Sequence, residues 1–502
     1  MSELPIYACI RDNIVDGVLP SSFSLGSYDR TNSKVPFADG GLDGIAVYHM
    51  TRPQLPDDLP ARIGEGINRA CSGDYEAADA TFCELGNEHW AVELIDELQG
   101  YVLGHKESIS PQTLKAYVLH LLVCATDKEL VKIGLSFLEL FSEPSEKEKQ
   151  IVRTLALSDE FTLFAAWCAR NWANGNQELF EMAKKTEGWG RVHVVDMLEP
   201  ESEEIRDWLL HEGINNSVMP EYSALTCYEK AGVVERLERG VDHAEFSAIT
   251  SIVCAALSDE PVAGLFALDN PKAELELYIK QAEVQTLDID DCECVRLIAA
   301  CAEAKGWEDL AAQCNALLES DSVRTAVADA VPRGRGLSLA RKLGIPYEDA
   351  LLETMRSDFD GLRRQCGYLI DSPKHLNGLL ELFREKVPLD SIEDDPRDEI
   401  GLGKEFDTYN KLSMLLQYLR HKMPVGLDYV TKALTSPVVN NRTMSHRILR
   451  CWVSDEGRPL SEISPETYDQ QLCAYEREPR EDLRKKMKPL IDGITAFDKS
   501  EM

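Results

Sequence analysis

No apolar run in this chain approaches the roughly 18 residues that a bilayer-spanning helix requires. The opening "MSELPIYACI" has neither the basic stretch nor the long apolar core of a secretory leader. Together these absences predict a cytoplasmic protein that does not enter a membrane. Positive charge is also scarce: 53 Lys plus Arg stand against 87 Asp plus Glu, a formal net charge of -34 over 502 residues. Nucleic-acid binding gains its affinity by neutralising phosphates with basic side chains, so the balance predicts no nucleic-acid partner and no anionic membrane surface. The richest basic stretch, "REPREDLRKKMK" from Arg477 to Lys488, alternates acids with bases and reads as a solvated helix face.

Standard catalytic signatures are missing as well. The chain contains no Gly-x-Ser-x-Gly elbow, no His-Glu-x-x-His and no Walker loop, so nothing in it calls for a cofactor or a metal. Its 14 cysteines are scattered through helical patterns instead of forming a short disulfide framework, as a reducing compartment allows. What is present is ordinary folding material. Hydrophobic residues make up 44% and charged residues 28%, which supplies ample apolar surface to bury.

Two regimes follow along the chain. In residues 1–60, "IYACI" (Ile6 to Ile10), "IVDGVLP" and "GIAVYHM" (Gly44 to Met50) are short β-favouring runs bounded by Gly, Asp, Asn and Pro, and they predict strands and hairpins. "RPQLPDDLP" (Arg52 to Pro60) then predicts an extended connector. From Ala61 onward the period is helical. Cys294, Leu297, Ile298 and Cys301 fall at i, i+3, i+4 and i+7, as do Leu412, Leu415, Leu416 and Leu419. Similar stretches recur with short Gly, Pro, Asp and Ser breaks, at a spacing that suggests helix pairs of roughly 35 to 45 residues.

Several clusters are candidate sites, each with a plainer alternative. "FADGGLDGIAVYHM" (Phe37 to Met50) places Asp39 and Asp43 in position to offer carboxylates to a hard cation, but two are too few for calcium, and glycine-assisted turns account for the same residues. His49 belongs on one face of the strand expected there, with Ile45 and Val47. "CEC" at Cys292 to Cys294 cannot converge on one zinc from a helix and reads as core. His89 with Glu93, and Asp207 with His211, are i, i+4 helix-surface pairs. "RGRGLSLA" (Arg333 to Ala340) lacks the strand of a dinucleotide fingerprint, and "SIEDDPRDEI" (Ser391 to Ile400) reads as a solvated acidic loop. "GWGRVHVV" is the least ordinary: glycines flank Trp189, a cost in a helix unless close approach or ligand access repays it. Either Trp189 packs between repeats, or it lines a groove with Arg191 and His193 as polar contacts.

"TEGWGRVHVVDML", "IRDWLLHEGINNSVMPEYSALTC", "DFDGLRRQCGYLI", "GLGKEF" and "SPVVNNRTMSHRILRCW" resemble a group of bacterial HEAT-repeat-type proteins of unknown function that open with the same kind of "FADG-LDGI-YHM" segment. The resemblance runs from about Ile6 to Leu490 and implies a helical-repeat fold. Some members carry the label limonene hydroxylase, which implies an oxidoreductase, yet no haem-thiolate segment or flavin fingerprint accompanies the cysteines here.

The sequence therefore predicts a mainly α protein: a small β-rich N-terminal element and linker over residues 1–60, then a HEAT/armadillo-like helical solenoid over 61–502. Its expected role is a scaffold binding a protein or peptide with a basic segment along a groove, the candidate contacts being Trp189, Arg191, His193, Asp39, Asp43 and His49. The alternative is an enzyme, an oxidoreductase or hydroxylase as the label implies, with its site near the N-terminal element or Trp189 to His193.

Overall fold

The structure, a computed structural model, describes residues 4–28, 37–141 and 143–497. The described residues contain twenty-nine α-helices and no β-strand, only the isolated bridges Val15 to Val18 and Glu399 to Val438. None of these helices is long and apolar enough to cross a membrane. The chain divides into two compact units, Met1–Leu318 and Glu319–Met502.

The expected β-rich opening is not there. Ile6–Asp12 is helix α1 and Gly41–His49 is helix α2; residues 1–3 and 29–36 of that segment lie outside the described residues. Ile6 and Ile10, read as strand positions, are one helical turn apart and fully buried. In α2 the spacing that matters is Gly41, Gly44 and Tyr48, which face Trp189, so tertiary packing overrides the β preference of Ile45, Val47 and Tyr48.

The first unit continues through α3 (Leu59–Ser72), α4 (Tyr75–Glu88), α5 (Ala91–Gly104), α6 (Pro111–Cys124), α7 (Lys128–Leu138), α8 (Glu146–Leu155), α9 (Asp159–Arg170), α10 (Gly175–Ala183), α11 (Trp189–Met197), α12 (Glu203–His211) and α13 (Glu221–Lys230). Local chemistry sets the boundaries. The side chains of Ser110 and Asp127 accept from the first turns of α6 and α7, and Ser145 with Glu148 forms a capping box on α8. Packing follows an alternating order. Helix α7 lies against α5 and α9, α9 against α11, and α11 against α13; α13 then meets helix His243–Ala256, which meets Ile289–Lys305. The intervening helices form a second row in the later part, where helix Val233–Arg239 packs on Pro271–Ala282 and that on Glu308–Leu318.

Helix α7 sits deepest. Every residue from Leu130 to Leu138 is buried, and Phe137 meets the Phe82 ring edge-on at 5.7 Å. A helix apolar on all sides must be enclosed on all sides, and this one carries Lys132 in with it.

In the second unit the helix Val439–Glu456 plays the corresponding part, with Arg442, His446 and Arg450 among its buried residues.

Candidate functional site

The six residues singled out in the sequence lie on or beside α2 and α11. Trp189 opens α11 and is 8% exposed. Its ring lies against Gly41 and Gly44, and a Cβ at Gly44 would overlap it. Tyr222 of α13 meets Trp189 edge-on with centroids 4.8 Å apart, while Tyr48 stacks on His193 at 5.6 Å and 10°. The Tyr48 hydroxyl donates to Asp196, which also accepts from Thr226 at 2.8 Å. His49 Nε2 is 2.7 Å from the Tyr222 hydroxyl. Trp189 is thus a platform on which α2 is seated.

The glycines around Trp189 have the same logic. Asp159 begins α9, and its carboxylate accepts the Gly190 N–H at 2.8 Å and also bonds the Gly188 N–H. It thereby caps α11 from another helix. A side chain on Gly188 or Gly190 would meet that carboxylate. Burial pushes Asp159 up to about 6 against the lowering effect of those two N–H groups. His193, 2% exposed, has no hydrogen-bond partner at Nε2, and burial pushes it down to about 4, so it is a neutral imidazole. Arg191 turns away: its guanidinium donates to the carbonyls of Ala183 and Asn215 and lies 5.4 Å from the Trp208 ring centroid.

Asp39 and Asp43, expected in turns, do separate work. Asp39 accepts the Leu25 N–H at 3.1 Å and stands 3.6 Å from Lys128. Gly40 holds the left-handed conformation (φ 74°) at the start of α2, and its N–H reaches Glu160 at 3.0 Å. Asp43 lies inside α2's first turn, 2% exposed, and faces Lys132 at 2.8 Å. Lys132 is the charged partner of this otherwise enclosed carboxylate. Lys132 also meets Glu129 at 2.9 Å and Glu160 at 2.7 Å. Burial first, and then repulsion from Glu129 and Glu160, raises Asp43 to about 7 against the pull of Lys132.

Helix α2 therefore buries Gly41, Asp43 and Gly44, half-buries Leu42, Ile45, Ala46 and Tyr48, and leaves Val47 and His49 exposed. Val47 is 44% exposed and Met50 45%. These two form one wall of an open cleft of about 520 Å³, whose other walls include Val92 and Ile95 of α5 and Trp167 of α9. Glu93, Asp96 and Arg52 stand along it, Arg52 paired with Asp96. Deeper in, Glu139 accepts from Gln99 at 2.9 Å and Arg170 at 2.9 Å.

The sequence missed Lys132, Glu160, Asp159 and the cleft. Lysine in "ELVKIGLSFL" was the one available signal, a charge in the middle of an otherwise apolar helix. No group of three or more His, Cys, Asp and Glu suited to a metal ion occurs among the described residues. Comparison with known proteins gives no matching family model, no matching curated protein and no matching solved structure.

Proposed function

We propose that this chain is a HEAT-like helical-repeat scaffold that binds a protein or peptide carrying a basic segment. The observation that carries the reading is the alternating order of packing in the first unit, where α5, α7, α9, α11, α13 and two later helices meet in succession. Such nearest-neighbour stacking is how repeat modules hide faces that no single pair can bury, and it leaves long rows of exposed side chains. The pairs beginning at residues 111, 146, 175, 203, 233 and 271 advance mostly by fewer residues than the roughly 35 to 45 read from the sequence. The modules are correspondingly compact.

With a net charge of -34, the exposed rows favour a basic partner and disfavour phosphate backbones. Affinity capture from native lysate, at low and at moderate salt, tests this. The expected result is a basic protein recovered in stoichiometric amount and released as salt rises. No stoichiometric partner at either salt would sink the scaffold reading.

A further inference from the structure

The cleft beside α2 allows a more specific statement, which rests on the reading just given. We propose that it is a docking site for an amphipathic helical segment of a basic partner. One bulky apolar side chain of that segment enters between α2 and α5, and a neighbouring Lys or Arg takes Asp96 from Arg52.

The burial pattern of α2 is the first support. A helix that seats its glycines and Asp43 inward and leaves Val47, with Met50 just beyond its end, in water forfeits apolar burial there, unless that face is covered by something else. Val92 and Ile95 face it at i, i+3 spacing on α5, with Trp167 from a third helix. The space of about 520 Å³ falls within the size of real binding pockets, roughly 300–1,000 Å³, and exceeds what one side chain fills. Methionine at such a wall adapts to different partners.

Charge selects the occupant. Glu139 is already held by Gln99, Arg170 and Asn171. Among the described residues Asp96 is held only by Arg52, whose side chain is 87% exposed against 61% for the aspartate. An ion pair this exposed contributes at most about 1 kcal/mol. Arg52 is therefore a weakly held internal stand-in for a partner's cation, carried on the extended "TRPQLP" strap. Helix-in-groove recognition uses the same elements: an apolar anchor at helical spacing with flanking charge.

A dye-labelled synthetic helix with Leu on one face and Lys on the other is titrated with the full-length chain at low and at physiological salt, and anisotropy is read. Two controls are a scrambled peptide of the same composition and a Leu/Glu helix. The wild-type chain should prefer the Leu/Lys helix over both. Val47→Gln with Met50→Gln, both exposed sites that leave the fold intact, should weaken binding about tenfold, and Arg52→Ala should tighten it about threefold by freeing Asp96.

Equal binding by the wild type and the Val47/Met50 variant would overturn the cleft assignment while leaving a basic-partner scaffold standing, because the peptide would then bind elsewhere. Absence of binding at both salts would overturn the helix-docking site, while capture from lysate still decides the scaffold reading, and preference for the Leu/Glu helix would overturn the charge assignment.

Discussion

Lys132 in the first unit and Arg442 in the second both carry a positive charge into a tightly packed helix, yet their surroundings differ in kind. The Arg442 guanidinium, 1% exposed, takes Glu478 with two parallel bonds of 2.8 and 2.9 Å. Its remaining terminal nitrogen donates to the carbonyls of Arg397, Ser436 and Pro437. One cation meets one anion, and neutral acceptors take the rest. Lys132 meets three carboxylates, and with Lys128 3.7 Å from one of them, Glu160, the acids still outnumber the cations. A planar fork with five donors can be satisfied mostly by carbonyls, whereas an ammonium recruits whichever acids surround it. The guanidinium site is satisfied by one acid and three carbonyls, whereas the ammonium site leaves Asp43 raised to about 7.

The largest expected effect comes from removing the lysine. Lys132→Met leaves Asp43, Glu129 and Glu160 facing one another without their common cation, and breaking a buried pair in this way costs on the order of 3–5 kcal/mol. Urea denaturation of the whole chain measures it, and a loss below about 1 kcal/mol would show that the acids protonate or hydrate at little cost. Arg442→Lys is a milder break, because charge is kept and only the two-pronged geometry goes. It should cost about 1.5–3 kcal/mol, the value of hydrogen bonds to charged groups. If the conservative change proved the costlier of the two, the contrast between the sites would be reversed.

The same contrast explains what could be read in advance. Leu412, Leu415, Leu416 and Leu419 are all buried in or next to helix Asp407–Tyr418, as their spacing requires. The stripe through Cys294 is rotated slightly, since Cys294 and Ile298 are buried while Leu297 and Cys301 are half-buried. Helices whose apolar face points inward are legible because one period encodes both shape and burial. Helix α2 is hard to read from sequence because its fully buried residues are Gly, Asp and Gly, while its apolar residues are only half-buried or, as with Val47, exposed. That arrangement depends on Trp189 and Lys132, which are distant in sequence.

Long-range pairing hid the second unit's chemistry in the same way. "SIEDDPRDEI" and "REPREDLRKKMK" were read as two separate solvated segments, but Arg477 pairs with Asp394 at 2.8 Å and Arg480 with Asp398 at 3.1 Å. Their charges answer each other across about eighty residues of chain, a relation that local composition does not contain.

Per pH unit, proton linkage gives the smallest expected effect, and it is the most direct probe of α2. Asp43 has an ordinary value of 3.8 and is raised to about 7 in the folded chain. Between those values the folded state holds a proton that the unfolded state has lost, so this group's contribution to stability falls as pH rises through the window and stays low above it. His193 acts in the opposite sense: lowered from 6.5 to about 4, it costs stability as pH falls below 6.5. The two trends partly cancel in the wild-type curve. Asp43→Asn removes the first and keeps the second. The stability of the variant relative to wild type should therefore rise between about pH 4 and 7, by no more than about 1.4 kcal/mol per pH unit, the slope of a single proton. Urea midpoints across that range provide the test. Parallel curves would mean that Asp43 stays ionised on Lys132 throughout.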